Sequence, residues 1–188
     1  LDYSEGDAAG MPDSHFWTDP AQMLAVVDAL EPALAEIEGI DPDALQSSVA
    51  DYRTELDDLD AEMTDAFARI PADRRALVTN HHVFGYLAER FDFDVVGAVI
   101  PGGTTLAAPS ASDLADLVDA VEETGVPAIF AESSSPDRLA RALADEADID
   151  VEVIELFTES LTDADGGAPD YLTMMRVNTE RIVSGLTR

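Results

Sequence analysis

Three histidines and one glutamate are the residues of this sequence best suited to metal chemistry. His81 and His82 directly follow a short apolar stretch, Glu159 follows a later one, and His15 precedes an aromatic pair. A single histidine is more often structural or merely exposed. Together, however, imidazole nitrogen and carboxylate oxygen without cysteine sulfur suit Zn²⁺, Mn²⁺ or Fe²⁺. The four residues indicate a candidate metal site, although no compact motif such as HExxH defines it.

Common catalytic and nucleotide-binding motifs are absent from the sequence. There is no GxGxxG or GxSxG, and Gly102-Gly103 with the two threonines that follow lacks the lysine of a phosphate loop. The serines at 133–135 have no neighbouring base. The remaining conspicuous side chains are expected to pack in the core or at an interface; they are Trp17, Phe84, Tyr86, Phe91, Phe93, Met174 and Met175.

Short apolar strands alternate with amphipathic helices from residue 72 onward. The strands are expected at 76–79, 95–100, 128–131 and 151–156, and the helices at 82–91, 110–124, 136–147 and 170–186. Four strands that are each followed by a helix predict an α/β fold with a parallel sheet and helices on both faces. Ligands of such sheets bind at the carboxyl ends of the strands, which here are 80–82, 101–105, 132–134 and 157–160.

Two helices are predicted before this sheet, each with the same start signal. Asp19-Pro20 begins the first, which ends by Gly39, and Asp41-Pro42 begins the second. The apolar stripe of the second helix runs unbroken to Pro71, which at about 1.5 Å per residue is roughly 40 Å. A spine helix packed on two lobes explains this stripe better than a coiled coil, because the repeat is short.

The charge of the chain excludes several classes of partner. Its 188 residues include 40 acidic residues against 10 arginines and no lysine, a net charge of −30. Such a surface repels phosphates and anionic lipid, which argues against binding of nucleic acid or a membrane surface. The periodic apolar residues argue against disorder, so we interpret the charge as adaptation to high salt. A cation buffer is the alternative, but its carboxylates would cluster in loops rather than spread along helices.

Six segments, in order along the chain, resemble the metal-binding solute receptors of ABC importers, a two-lobed family with a rigid linking helix. They are His15–Pro20 (HFWTDP), 78–86 (VTNHHVFGY), 109–111 (PSA), 129–132 (IFAE), 157–161 (FTESL) and 171–178 (YLTMMRVN). The resemblance implies that residues 1–40 are the remnant of an N-terminal lobe that is mostly missing. It implies that 41–71 form the linking helix and 72–188 the C-terminal α/β lobe.

The same resemblance implies three metal ligands in this chain. They are His15 of the H-x-W segment, His81 after the first strand and Glu159 of the F-T-E-S segment. A fourth family ligand, a histidine of the N-terminal lobe, has no counterpart here. His82 stands where many members have Asp or Gly. Three roles stay open for it: it supports a ligand from behind, it lies exposed, or it binds the metal in place of another ligand. Many zinc-binding members have a histidine-rich loop just before the position of His15, but residues 4–10 of this chain contain acidic residues and no histidine.

A nitrogen-rich set of ligands favours Zn²⁺ over Mn²⁺ or Fe²⁺, and the ion is cargo rather than a catalytic cofactor. The resemblance implies an extracytoplasmic receptor that binds the ion between its lobes and delivers it to a membrane permease, without catalysis. Such a receptor would be lipid-anchored through an N-terminus outside this chain. Two alternatives stay open: a surface adhesion protein of the same fold, and a zinc-dependent hydrolase. No apolar run of about 18 residues predicts a membrane span.

Overall fold

The structure is a computed structural model that describes residues 1–3, 9–100, 111–133, 138–147 and 149–188. Within these ranges, the side chains of residues 80–81, 98–100, 111–114, 116 and 138–139 lie outside the description. The predicted strand-end segment 101–105, Pro109-Ser110 and the serines 134–135 also lie outside the described residues.

A four-stranded parallel sheet forms the centre of the described part of the chain. Its strands are β1 (Ala76–His81), β2 (Asp94–Ile100), β3 (Ala128–Glu132) and β4 (Glu152–Leu156). They lie in the order β2-β1-β3-β4, and each neighbouring pair is parallel. The predicted α/β fold with a parallel sheet is therefore confirmed.

Helices cover both faces of this sheet, as the alternating pattern predicts. They are α1 (Pro20–Ala35), α2 (Pro42–Phe67), α3 (Gly85–Phe91), α4 (Ala111–Thr124), α5 (Arg138–Glu146) and α6 (Tyr171–Leu186). Side chains alternate between the two faces of a strand. Leu77 of β1 accordingly joins a core formed with α2, α3 and α6, whereas Val78 joins a second core formed with α4 and α5.

The long helix α2 begins and packs as its sequence predicts. The carboxylate of Asp41 accepts hydrogen bonds from the amides of Asp43 and Ala44, both at 3.0 Å, and caps the helix. Gly39 in the preceding turn has φ of +94°, a left-handed conformation that glycine adopts without steric cost. The apolar stripe then supplies buried side chains along the helix, namely Val49, Leu56, Leu59, Met63 and Phe67.

Helix α1 lies against α2 but leaves much of its apolar surface uncovered. Pro20 is its one fully buried residue. Leu30 near its end is 51% exposed, and Ile37 in the following turn is 52% exposed. An apolar helix with so little buried surface is typical of an element that has a further packing partner.

Two boundaries differ from the prediction at the first strand–helix connection. Strand β1 extends two residues further, to His81, because His81 pairs with Ile100 of β2. Helix α3 begins at Gly85 rather than at residue 82, because His82 to Phe84 form a bend between the two elements. His81 is thus the last residue of β1, and His82 is the first residue of the bend.

None of the helices in the described ranges combines the length and apolar character that crossing a bilayer requires.

Helix α6 approaches the sheet closely at Gly185. A Cβ atom at this position would lie 2.7 Å from Cδ1 of Ile154 and 3.1 Å from Cβ of Ala128. Cδ1 of Ile154 is the end of a side chain and can turn away, but Cβ of Ala128 is fixed to the backbone of β3 and cannot move far without disturbing the sheet. The missing side chain of Gly185 therefore lets the final helix lie on β3 and β4.

We expect Gly185→Ala to lower the free energy of unfolding by about 1–3 kcal/mol, because the added methyl group overpacks this contact. Urea unfolding measures the change. Ser184→Ala is the matched control: its neighbouring side chain is exposed on the same helix, so it should have little effect. A gain in stability for Gly185→Ala, as helix propensity alone would give, would contradict this packing.

The acidic surface should make the stability of the fold depend on the salt concentration. Carboxylates of the net −30 chain repel one another, and raising the KCl concentration from about 0.1 to 1 M shortens the Debye length from about 10 to 3 Å. The free energy of unfolding should therefore rise steeply over this range. Thermal unfolding in KCl measures it, with sucrose of equal osmolarity as the uncharged control. Equal stabilisation by sucrose would refute charge screening as the cause.

Candidate metal centre

His15 is buried at the start of the described fold and is held by an aspartate two residues before it. The residue is 4% exposed. Oδ1 of Asp13 lies 2.7 Å from Nδ1 of the His15 ring and accepts a hydrogen bond of 2.9 Å from the His15 amide. The Tyr3 hydroxyl lies 3.2 Å from the same ring nitrogen. A single carboxylate oxygen therefore orients both the backbone and the ring of His15.

The charge of Asp13 decides which nitrogen of His15 carries the ring proton. Burial alone would raise the pKa of the Asp13 carboxyl, but the hydrogen bonds from the ring and amide of His15 outweigh it and hold the pKa below its usual value. An ionised carboxylate has no proton to donate, so we assign the proton to Nδ1. The lone pair of Nε2 is then available for a metal ion.

Glu159 faces Nε2 of His15 from a distant part of the chain. Its Oε1 lies 3.4 Å from Nε2 of His15, and the glutamate side chain is 33% exposed. The distance exceeds that of an ordinary N–H···O hydrogen bond. Two of the predicted ligands are thus brought together with their donor atoms opposed.

Buried hydrogen bonds hold the segment after β4 that carries Glu159. The amide of Phe157 donates to Oδ1 of Asn178 at 2.9 Å, and Nδ2 of Asn178 donates back to the Phe157 carbonyl at 2.6 Å. Asn178 lies on α6 and is itself buried. This pair of hydrogen bonds anchors the segment to α6 at Phe157, which is two residues before Glu159.

Trp17 ties the His15 segment to the same place. Its indole N–H donates to the carbonyl of Thr158 at 2.9 Å, and the hydroxyl of Tyr171 donates to the Trp17 carbonyl at 2.8 Å. Burial raises the pKa of the Tyr171 hydroxyl, so it stays a donor. The Trp17 ring also lies edge-on to the His15 ring, with centroids 5.2 Å apart. His15 and Glu159 are therefore positioned by neighbours that are themselves bonded to each other.

The two remaining histidines lie at the carboxyl end of β1. His81 is its last residue, but its side chain lies outside the description, so its direction is not known. His82 is half-buried and lines a cavity of about 230 Å³ together with Asp13 and Gly85. Among the residues whose side chains are described, no group of three or more His, Asp or Glu forms a metal site. The proposed third ligand is the one that the description omits.

Sequence reasoning missed the residues that hold the candidate ligands. Asp13, Asn178 and Tyr171 received no role, although the last two lie in a segment that carries the resemblance. An aspartate two residues before a candidate ligand histidine is a signal that could have been used. Trp17 was expected only to pack, but its indole N–H also bonds the backbone beside Glu159. The expected core positions of Met174 and Met175 are confirmed.

A family model described as the periplasmic component A of a zinc-uptake complex matches residues 2–185 of the chain. The zinc-binding protein TroA of Treponema pallidum is 32% identical over 180 residues, which cover 94% of this chain and 58% of that protein. Its solved structure superposes with a TM-score of 0.87 and covers 94% of this chain and 64% of that one.

Relatives named for other metals match over similar lengths. The iron-binding protein YfeA of Yersinia pestis is 25% identical over 185 residues, covering 98% of this chain and 58% of that protein. The manganese ABC transporter substrate-binding lipoprotein PsaA of Streptococcus mitis is 26% identical over 187 residues, covering 99% and 60%. The chain thus spans about three-fifths of the length of these relatives. With the family model matching nearly all of its residues, the chain belongs to the family of the periplasmic component A of zinc-uptake complexes.

Proposed function

We propose that this chain is the metal-binding part of a substrate-binding protein of an ABC importer, with Zn²⁺ as the favoured cargo. The family membership supports this role, since relatives are named for zinc, iron and manganese binding. His15, His81 and Glu159 are the proposed ligands. The protein binds and releases the ion without changing it, so we propose no catalytic residue.

The observation that carries this proposal is the 3.4 Å separation between Nε2 of His15 and Oε1 of Glu159. Zinc binds imidazole nitrogen and carboxylate oxygen at about 2.0–2.2 Å with tetrahedral angles, which places two such donors about 3.4 Å apart. An octahedral ion with bonds of similar length would draw the donors to about 3 Å. The separation of this pair therefore supports a tetrahedral ion in the proposed site.

Ligand chemistry supports the same choice of ion. Two histidines supply nitrogen donors, for which Zn²⁺ exceeds Mn²⁺ and Fe²⁺ in affinity under the Irving–Williams order. A bidentate Glu159 would raise the coordination number and favour Mn²⁺ or Fe²⁺ instead. The names of the relatives include all three metals, so a competition between ions is the deciding measurement.

We propose that residues 1–40 belong to a second lobe, 41–71 to the linking helix and 72–188 to the C-terminal lobe. The exposed apolar side chains of Leu30 and Ile37 support this division, because they offer a surface for further packing. The protein would then bind the ion between its lobes, outside the cytoplasm, and pass it to a permease in the membrane. A lipid anchor on the full protein is part of this proposal.

We expect one zinc site well above the background of the surface carboxylates, and we expect His15→Ala and Glu159→Gln each to weaken it at least tenfold. Each substitution removes one of few donors. Titration against a chromophoric chelator in about 1 M KCl measures the affinity, because salt weakens diffuse binding. Glu123→Gln removes the same charge from an exposed position on α4 and is the matched control. Weak binding that neither ligand variant changes would overturn the proposal.

The two adjacent histidines should differ in the same titration. His81→Ala should weaken zinc binding at least tenfold, whereas His82→Ala should have a smaller effect, because His82 lies beside Asp13 rather than between His15 and Glu159. Equal losses would mean that the ligand was assigned to the wrong histidine. No loss from either variant would remove the β1 end from the site.

A further inference from the structure

We propose that Gly85, the first residue of α3, is a positioning residue that aligns the His15 ring by making room for the carboxylate of Asp13. A Cβ atom built at Gly85 would lie 2.7 Å from Oδ2 of Asp13, closer than such contacts allow. Among the described residues, the other atom within 4 Å of that position is Cγ of the same aspartate. The space at Gly85 is thus occupied by one side chain, and that side chain holds His15.

The backbone itself does not require glycine at this position. Gly85 is absent from the residues with positive φ and is the first residue of an α-helix, a conformation that alanine adopts readily. Among the residues whose side chains are described, Asp13 alone has atoms within 4 Å that would oppose a larger side chain. Gly85→Ala should therefore displace the carboxylate of Asp13 without destabilising the helix, so an effect on positioning can be told apart from an effect on folding.

Displacement of the carboxylate would reach His15 directly. Oδ1 and Oδ2 of Asp13 belong to one planar group, so pushing Oδ2 away from Gly85 rotates Oδ1 relative to Nδ1 of His15, now 2.7 Å away. Asp13 is buried, and the Tyr86 hydroxyl on the same helix donates to its carbonyl at 3.3 Å. The backbone of Asp13 is thereby held while its side chain turns, and the ring loses its partner.

This arrangement also joins two ligand-bearing segments. Gly85, the first residue of α3, follows His81 by four residues, and Asp13 precedes His15 by two. The contact between Gly85 and Asp13 therefore sets the position of the His15 ring relative to the end of β1. The consequence for metal binding rests on the proposed function, whereas the consequence for the His15 ring does not.

The first test reads the His15 ring in the metal-free protein. ¹⁵N NMR distinguishes the two neutral tautomers of imidazole, and the chain has three histidines to assign. We expect His15 to be protonated on Nδ1 in the unchanged protein and to become a mixture of tautomers in Gly85→Ala. Glu89→Ala, at an exposed position of α3, is the control and should leave the ring unchanged. A single Nδ1–H tautomer in Gly85→Ala would overturn the proposal.

The second test is a double-mutant cycle on zinc affinity. Gly85→Ala should weaken zinc binding about tenfold while leaving the unfolding midpoint unchanged or raised, which a merely structural role would not do. In a chain that already carries Asp13→Ala, adding Gly85→Ala should cause no further loss. Additive losses, or no loss from Gly85→Ala alone, would overturn the proposal. If the unchanged protein has no tight zinc site but its tautomer responds as expected, the proposed function fails and the positioning role stands.

Discussion

The buried imidazole of His15 is the feature on which the candidate site depends. One of its nitrogens is held by Asp13 and the other faces Glu159 across 3.4 Å. Burying the ring costs free energy unless each of its polar groups, once removed from water, forms a hydrogen bond or binds an ion. Asp13 supplies that partner on one side of the ring. On the other side, an ion bound between the ring and Glu159 would neutralise the carboxylate and take Nε2 as a ligand.

Long-range hydrogen bonds explain why two residues so far apart in sequence meet. Trp17 bonds to the backbone at Thr158, and Tyr171 bonds back to Trp17. Asn178 pairs with both backbone groups of Phe157. Removing Asn178 would leave two buried groups without partners, at a cost of about 1–3 kcal/mol each. The fold itself therefore brings His15 and Glu159 together, which would lower the entropic cost of binding an ion between them.

Much of the fold was predictable because it follows from local patterns. Alternation of apolar runs and amphipathic stripes predicted the sheet and its helices, and Asp41-Pro42 predicted the start of α2. The end of β1 was not predictable, because the pairing of His81 with Ile100 depends on a neighbouring strand rather than on local residues. Gly85 and Gly185 illustrate a deeper limit. Their importance comes from atoms of Asp13 and Ile154 that lie close only in three dimensions.

Zinc K-edge X-ray absorption would show whether an ion binds between the imidazole of His15 and the carboxylate of Glu159. The protein would carry one equivalent of Zn²⁺ in about 1 M KCl, where diffuse binding to the acidic surface is screened. We expect four nitrogen or oxygen neighbours at about 2.0–2.1 Å, with the outer-shell scattering that imidazole rings produce. A shell of six oxygens without imidazole scattering would contradict it, and would assign the zinc to the surface carboxylates.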